Sequence, residues 1–182
     1  MRLFTAILFD EDRKASLYST VEKLKALSLS GTFTVKDNLH LTVNFIGETK
    51  RLDEVKAAMN QAVNKLKARQ FSLSLRGFGK FKRREGDIFW IGIERAETLW
   101  RLQKELVREL KEAGFYEIDD MEYIPHLTLG RRVKPKESFS VKEFEAGILP
   151  VQMEVKRLSL MKSERIEGKL VYTEIYHVGL ES

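Results

Sequence analysis

Two of the chain's three histidines open the same tetrad, His-Leu-Thr followed by an aliphatic residue, at His40 and again at His126. Threonine fills only nine of the 182 positions, so a repeat of both type and spacing asks for a structural reason. Strand alternation supplies one. Residues i and i+2 project from the same face, so His40 with Thr42, and His126 with Thr128, each set an imidazole beside a hydroxyl. Leu41, Val43, Leu127 and Leu129 then point behind the strand, where an apolar core can hold it. The tetrads lie 86 positions apart, which favours a duplicated plan over a local motif.

The surrounding periodicity fits such a plan. Residues 1–10 read as a first strand, and Leu17, Val21, Leu24 and Leu27 fall at helical spacing after it. "GTFTV" and "NLHLTVNFIG" read as strands separated by a polar turn at Lys36 and Asp37, with Thr49 expected to cap the next helix. That helix carries Val55, Met59, Ala62, Val63 and Leu66 on one face and is expected to end near Arg69, before the strand "QFSLSLRGFGKF". The second half repeats the order: the strand "DIFWIGIE", a helix striped by Leu99, Leu102, Leu106 and Leu110 and stopped by Gly114, then the second tetrad. "VKPKESFSVKE" reads as a polar connection, and "QMEVKRLSLMKS" and "KLVYTEIYHVGL" as two closing strands around a turn at Glu167 and Gly168. With no Pro/Gly/Ser-rich linker, the expectation is one α+β domain over residues 1–182. Its two interleaved, pseudo-symmetric lobes would each hold an antiparallel sheet, helices and one His-x-Thr strand, with the site in a cleft between the sheets.

Two imidazoles facing each other supply a general base and a general acid near neutral pH. Hydrolysis of a phosphate diester uses both, because the attacking water loses a proton and the departing alkoxide gains one. The hydroxyls of Thr42 and Thr128 can donate to the non-bridging oxygens, and Arg131 is the first candidate for a cation at the same place. His177 lacks the companion threonine and is expected to be structural. Zinc sites usually take three or four protein ligands, so two histidines in a chain without cysteine do not point to a metal. No serine sits in a nucleophile elbow, and "RGFGKF" lacks a dinucleotide or phosphate-loop fingerprint and reads as a bent strand end.

Several segments carry a family pattern. Arg2, Phe4 and Ala6 lie on the opening strand; residues 38–47 surround the first tetrad; Pro125, His126, Thr128 and Arg131 surround the second; Ser163, Gly168 and Tyr172 mark the closing strand pair. Together they resemble the two-histidine phosphoesterase superfamily, and in detail its LigT-like RNA 2',3'-cyclic phosphodiesterase branch, also called ThpR. Phe33 stands where a tryptophan is common, Val43 replaces the usual leucine, and Tyr172 comes one position late. The resemblance implies that His40 is the proton donor and His126 the acceptor, with Thr42, Thr128 and Arg131 holding the phosphate. It further implies opening of a terminal 2',3'-cyclic phosphate to a 2'-phosphate with no metal or cofactor, and 2'-5' RNA ligation as the reverse reaction. The alternatives on the same residues are another cyclic nucleotide phosphate or a 2'-5' oligonucleotide; a non-catalytic RNA-binding module is the other class, and it would not need two matched pairs.

Two basic stretches flank the tetrads. "FGKFKRRE" interleaves Phe78 and Phe81 with Lys80, Lys82, Arg83 and Arg84, and "RRVKPK" follows the second tetrad; either could hold single-stranded RNA, though such runs are more often solvated loops. The chain carries a formal net charge of +5, a modest attraction for anions. No apolar run approaches the roughly 20 residues of a membrane span, and the N-terminal segment reads as a strand, not a signal peptide. The lack of cysteine fits a reducing compartment, so a cytoplasmic location is expected; a monomer acting on RNA ends is the expectation that goes with the resemblance.

Overall fold

A computed structural model describes residues 1–119 and 121–182. Their elements run β1 (Arg2–Leu8), α1 (Glu11–Ala26), β2 (Ser28–Phe33), a 3-10 turn (Lys36–Asn38), β3 (His40–Glu48), α2 (Leu52–Leu66), β4 (Phe71–Phe81) and β5 (Asp87–Ile93). They continue with α3 (Glu97–Glu112), β6 (His126–Pro135), α4 (Val141–Ala146), β7 (Val151–Val155), β8 (Arg157–Ile166) and β9 (Lys169–Gly179). Both tetrads begin a strand. The helical stripes are buried as their spacing requires: Leu17, Val21 and Leu24 in α1, Val55, Met59, Ala62 and Val63 in α2, and Leu99, Leu102, Leu106 and Leu110 in α3.

The strands form two antiparallel sheets, one ordered β3-β1-β8-β9 and the other β2-β6-β5-β4-β7. In the first, β1 lies between β3 and β8; in the second, β5 lies between β6 and β4. The two triplets correspond, and each places a histidine strand beside the strand that opens its half of the chain. The halves are not the lobes, however. β1 and β3 take β8 and β9 from the far end of the sequence, and β2 and β4 join β5, β6 and β7. Helices α2 and α3 pack on the first sheet, while α1 lies against β2 and β6 of the second. One apolar cluster includes Leu3, Ile7, Leu41 and Val43 of the first sheet with Leu73, Phe89, Leu127 and Leu129 of the second.

Some elements differ from their sequence expectation. α2 stops at Leu66, three residues before Arg69, because Lys67 takes a left-handed conformation (φ 45°) and its N–H returns to the carbonyls of Val63 and Asn64. Thr49 does not cap that helix; its Oγ1 accepts from the N–H of Arg51 at 3.0 Å, in the turn before it. The polar connection after β6 contains α4, capped by Ser140, whose hydroxyl accepts from the N–H of Glu143 at 3.3 Å. The segment 152–163 is two strands rather than one. β7 pairs with β4, β8 pairs with β1, and Lys156 is the crossing point between the sheets.

Candidate active site

β3 is an edge strand of its sheet and β6 lies next to the edge of the other; the two run close together where the sheets meet. Leu41, Leu127 and Leu129 are fully buried behind them, and Val43 nearly so, so the outward residues of each tetrad are fixed by core packing. The two imidazoles are held alike. His40 Nδ1 lies 2.7 Å from the carbonyl of Asn38, and His126 Nδ1 lies 2.7 Å from the carbonyl of Ile124, in each case two residues back along the chain. A carbonyl can only accept, so each Nδ1 carries a proton, and each Nε2 is the nitrogen left for chemistry. His40 Nε2 is 2.9 Å from Thr42 Oγ1, its own strand neighbour.

The electrostatics of the pair have a common cause. Burial lowers the pKa of His40 most, the bond to Asn38 opposes this, and the charges of Arg131 and His126 lower it further. His126 is likewise lowered, first by burial and then by Arg131, against its bond to Ile124. Arg131 therefore acts on both imidazoles from one position. Strict alternation would have turned this residue, three after Thr128, toward the core with Leu127 and Leu129. Two β-bulges in succession prevent it. Trp90 pairs with Thr128 and Phe89 with Gly130, two steps on β6 against one on β5; Val133 then pairs with Asp87, three steps against two, and Arg132 adopts φ 54°. The first extra residue leaves Arg131 exposed on the side of the histidines, and the second returns Val133 to the core.

Aromatic rings flank both imidazoles. His40 has Phe4 at 4.9 Å between ring centroids and the edge of Tyr172 at 5.1 Å; His126 has Phe81 at 5.1 Å and Trp90 at 5.9 Å. Phe4, Ala6 and Met161, with Leu8 and Tyr172 against them, form a small apolar cluster separate from the main core. Burial raises the pKa of the Tyr172 phenol, and the charges of Arg131 and Arg2 pull against it. Tyr172 arrives on a hairpin that outruns its neighbour. β1 pairs with β8 only as far as Ser163, while β8 and β9 continue together to Ile166 and Lys169, and Asn38 Nδ2 donates to the carbonyl of Leu170 at 2.8 Å.

The basic segment after β4 divides by residue. Phe78 is core, stacked on Phe89 at 5.3 Å, whereas Phe81 meets His126. Lys80 is paired with Asp87 at 2.8 Å, and Arg83 donates to the carbonyl of Lys82 and lies over the Phe81 ring. Lys82 and Arg84 are exposed. In the second stretch, Arg132 donates to Thr32 Oγ1 and Lys136 to the carbonyl of Ala26. His177 sits on β9 opposite Ser159, 53% exposed and 3.7 Å from Glu174, away from both tetrads. A groove of about 470 Å³ lined by Leu8, Asp10, Arg13, Met153 and Arg157 contains none of the tetrad residues. Among the described residues, no three His, Cys, Asp or Glu side chains gather at metal-binding spacing.

Sequence reasoning missed the hydroxyls of Thr34 and Tyr123. Thr34 Oγ1 donates to the carbonyl of Thr128 at 2.8 Å, and the Tyr123 hydroxyl donates to the carbonyl of Thr42 at 2.9 Å. Neither residue stands within a recognisable motif.

A family described as the 2'-5' RNA ligase superfamily matches residues 12–167 of the chain. Proteins named RNA 2',3'-cyclic phosphodiesterase are similar to it: one from Thermotoga maritima is 28% identical over 100% of this chain and 96% of its own, and one from Methanothermobacter thermautotrophicus is 29% identical over 96% of each. A third, from Methanocaldococcus jannaschii, is 32% identical over 72% of this chain and 71% of its own. Among solved structures, apo LigT of Escherichia coli superposes with a TM-score of 0.77 at 22% identity, covering 100% of this chain and 98% of that one. A Thermus thermophilus protein does so at 0.76 and 25% identity, covering 99% and 98%.

Proposed function

The chain belongs to the 2'-5' RNA ligase superfamily, and from that premise we propose that it hydrolyses the 2',3'-cyclic phosphate ends of RNA, using His40 and His126 as its acid and base. The observation that carries the reading is the matched pair of imidazoles, each with Nδ1 tied to a carbonyl and Nε2 left for proton transfer. His126 takes a proton from the attacking water, the P–O3' bond breaks, and His40 returns a proton to the departing 3'-oxygen, leaving a 2'-phosphate. Thr42, Thr128 and Arg131 hold the non-bridging oxygens, where negative charge gathers as the pentacoordinate phosphorus forms.

Because the proton transfers are assigned to imidazoles, no step is routed through a metal. The same barrier can be crossed backwards, joining a 5'-hydroxyl to a cyclic end to give a 2'-5' linkage. The substrate reading extends to the polymer through Lys80, Lys82, Arg83 and Arg84, which flank Phe81 in the chain, whose ring meets His126. Lys80 contributes least to that reading, since Asp87 already engages its ammonium. The same proposal takes the chain as one catalytic domain acting as a monomer in the cytoplasm, the last in accord with the lack of cysteine. Among the described residues, no helix is long and apolar enough to cross a membrane.

The test is turnover of a cyclic-ended oligonucleotide, with the product's phosphate position assigned. Substituting His40→Ala or His126→Ala is expected to lower kcat by on the order of a hundred- to ten-thousand-fold, and the double variant to be little worse than either single one. His177→Ala should turn over normally. Activity that vanishes on chelation and returns with a divalent ion would reject the two-imidazole mechanism.

A further inference from the structure

The two missed hydroxyls share one logic. Thr34 stands six residues before His40, and Tyr123 three before His126. Each lies on the segment that leads into one histidine, and each donates to the backbone carbonyl of the threonine in the other tetrad: Thr34 to Thr128, and Tyr123 to Thr42. The Nδ1 acceptors, the carbonyls of Asn38 and Ile124, lie on the same two lead-in segments. The pair therefore closes two short loops across the sheet boundary, one running from Thr128 through Thr34 to His40 and the other from Thr42 through Tyr123 to His126.

We propose that Thr34 and Tyr123 are reciprocal positioning residues, whose hydroxyls clip each histidine to the phosphate-holding threonine of the opposite strand and so set the separation of the two imidazoles. Among the described residues, nothing else in the pairing scheme does this directly, because β3 and β6 belong to different sheets and share no ladder. The Thr34 clip is stiffened by its own N–H, which donates to the carbonyl of Leu129 at 2.9 Å. The Tyr123 ring packs edge-on against Trp100 at 5.8 Å, and burial pushes its phenol pKa well up, so its hydroxyl keeps its proton at any working pH. Each bond also serves a carbonyl within a tetrad; that of Thr42 lies on an edge strand.

The inference rests on the two-imidazole reading of the site, so its test has one arm that does not depend on turnover. Tyr123→Phe and Thr34→Val remove a hydroxyl and keep shape; Thr34→Ser keeps the hydroxyl. With adenosine 2',3'-cyclic phosphate, each deletion is expected to lower kcat about ten-fold, as sub-ångström misplacement of reacting groups does, with KM within about two-fold because the phosphate-holding side chains remain. Thr34→Ser should recover most of the loss. In the second arm, proton NMR follows the imidazole Cε1–H signals through a pH titration, with His177 as internal reference. Both deletions are expected to shift the His40 and His126 signals and leave His177 in place. Unchanged kcat, a Thr34→Ser variant no better than Thr34→Val, or a lowered Tm with both signals unmoved would each overturn the proposal. A wild-type protein that opens neither this mononucleotide nor a cyclic-ended oligonucleotide rejects the functional reading, and the imidazole signals then decide the clips by themselves.

Discussion

At the scale of single residues, the site disfavours the charged form of both its histidines. Burial and Arg131 hold each pKa below the ordinary imidazole value, yet the proposed reaction requires one ring charged and one neutral. The free enzyme reaches that combination only on the acid side of about pH 6.5, so kcat/KM should peak there. An anionic phosphate set among the rings stabilises their charged forms and raises both pKa values, so the kcat profile should lie at higher pH than the kcat/KM profile. Arg131→Gln removes a cation that lowers both rings. Its kcat/KM profile is expected to move up in pH while falling in height, and a profile that only falls would mean that Arg131 holds substrate without tuning the pair. The histidines and their threonines were legible in the sequence, because strand alternation couples His to Thr two positions on. Arg131 was legible as a nearby cation, but its direction was not, because it depends on two successive bulges that no local signal announces. Thr34 and Tyr123 were invisible for a different reason. Their partners lie 94 and 81 residues away, and only the interleaving of the sheets brings them within reach.

At the scale of elements, the end of β4 is shaped by two glycines with separate tasks. Gly77 takes φ 82° at a break in the register with β5, which bends the strand as its composition suggested. Gly79 instead leaves room for a ring: a Cβ there would come within 2.1 Å of the Trp90 indole, the same ring that flanks His126. Gly79→Ala is expected to push that indole toward His126, lowering kcat/KM by an order of magnitude and destabilising the fold by about 1–3 kcal/mol, the usual cost of overpacking. Combining it with Trp90→Phe, which removes the six-membered ring that meets the Cβ, should recover stability in a denaturant titration; no recovery would place the strain elsewhere. The junction of β7 and β8 was also readable in principle. Val151, Met153 and Val155 turn inward at odd positions, Leu158 and Leu160 at even ones, and the Lys156–Arg157 pair marks the change of phase. A continuous strand cannot keep both sets in a core, so the chain changes sheets there.

At the scale of the whole molecule, charge separates the chemistry from the grip on a polymer. If Lys82, Arg83 and Arg84 neutralise phosphates beyond the reacting end, replacing them with glutamine should raise KM for a cyclic-ended oligonucleotide. The slope of log affinity against log salt should drop by roughly 0.7 for each phosphate no longer neutralised, with turnover of a cyclic mononucleotide almost untouched. Equal losses on both substrates would bring the segment into the reacting site through Phe81. Unchanged oligonucleotide kinetics would leave it a solvated loop. Lys80→Gln is expected to do least to salt dependence, given its ion pair with Asp87.

The interleaving of the sheets also dictates an order of birth on the ribosome. β1 leaves the exit tunnel ahead of β3 and meets it soon after, but its other edge is completed only by residues 159–163. At common elongation rates that wait is on the order of ten seconds, during which an inner strand of the finished protein stands as an open edge. The first histidine is mounted early on this half-built sheet, and its counterpart comes from β6, most of the way along the message. A chain whose translation stops short of β8 therefore yields an adhesive strand looking for a neighbour, not a smaller enzyme.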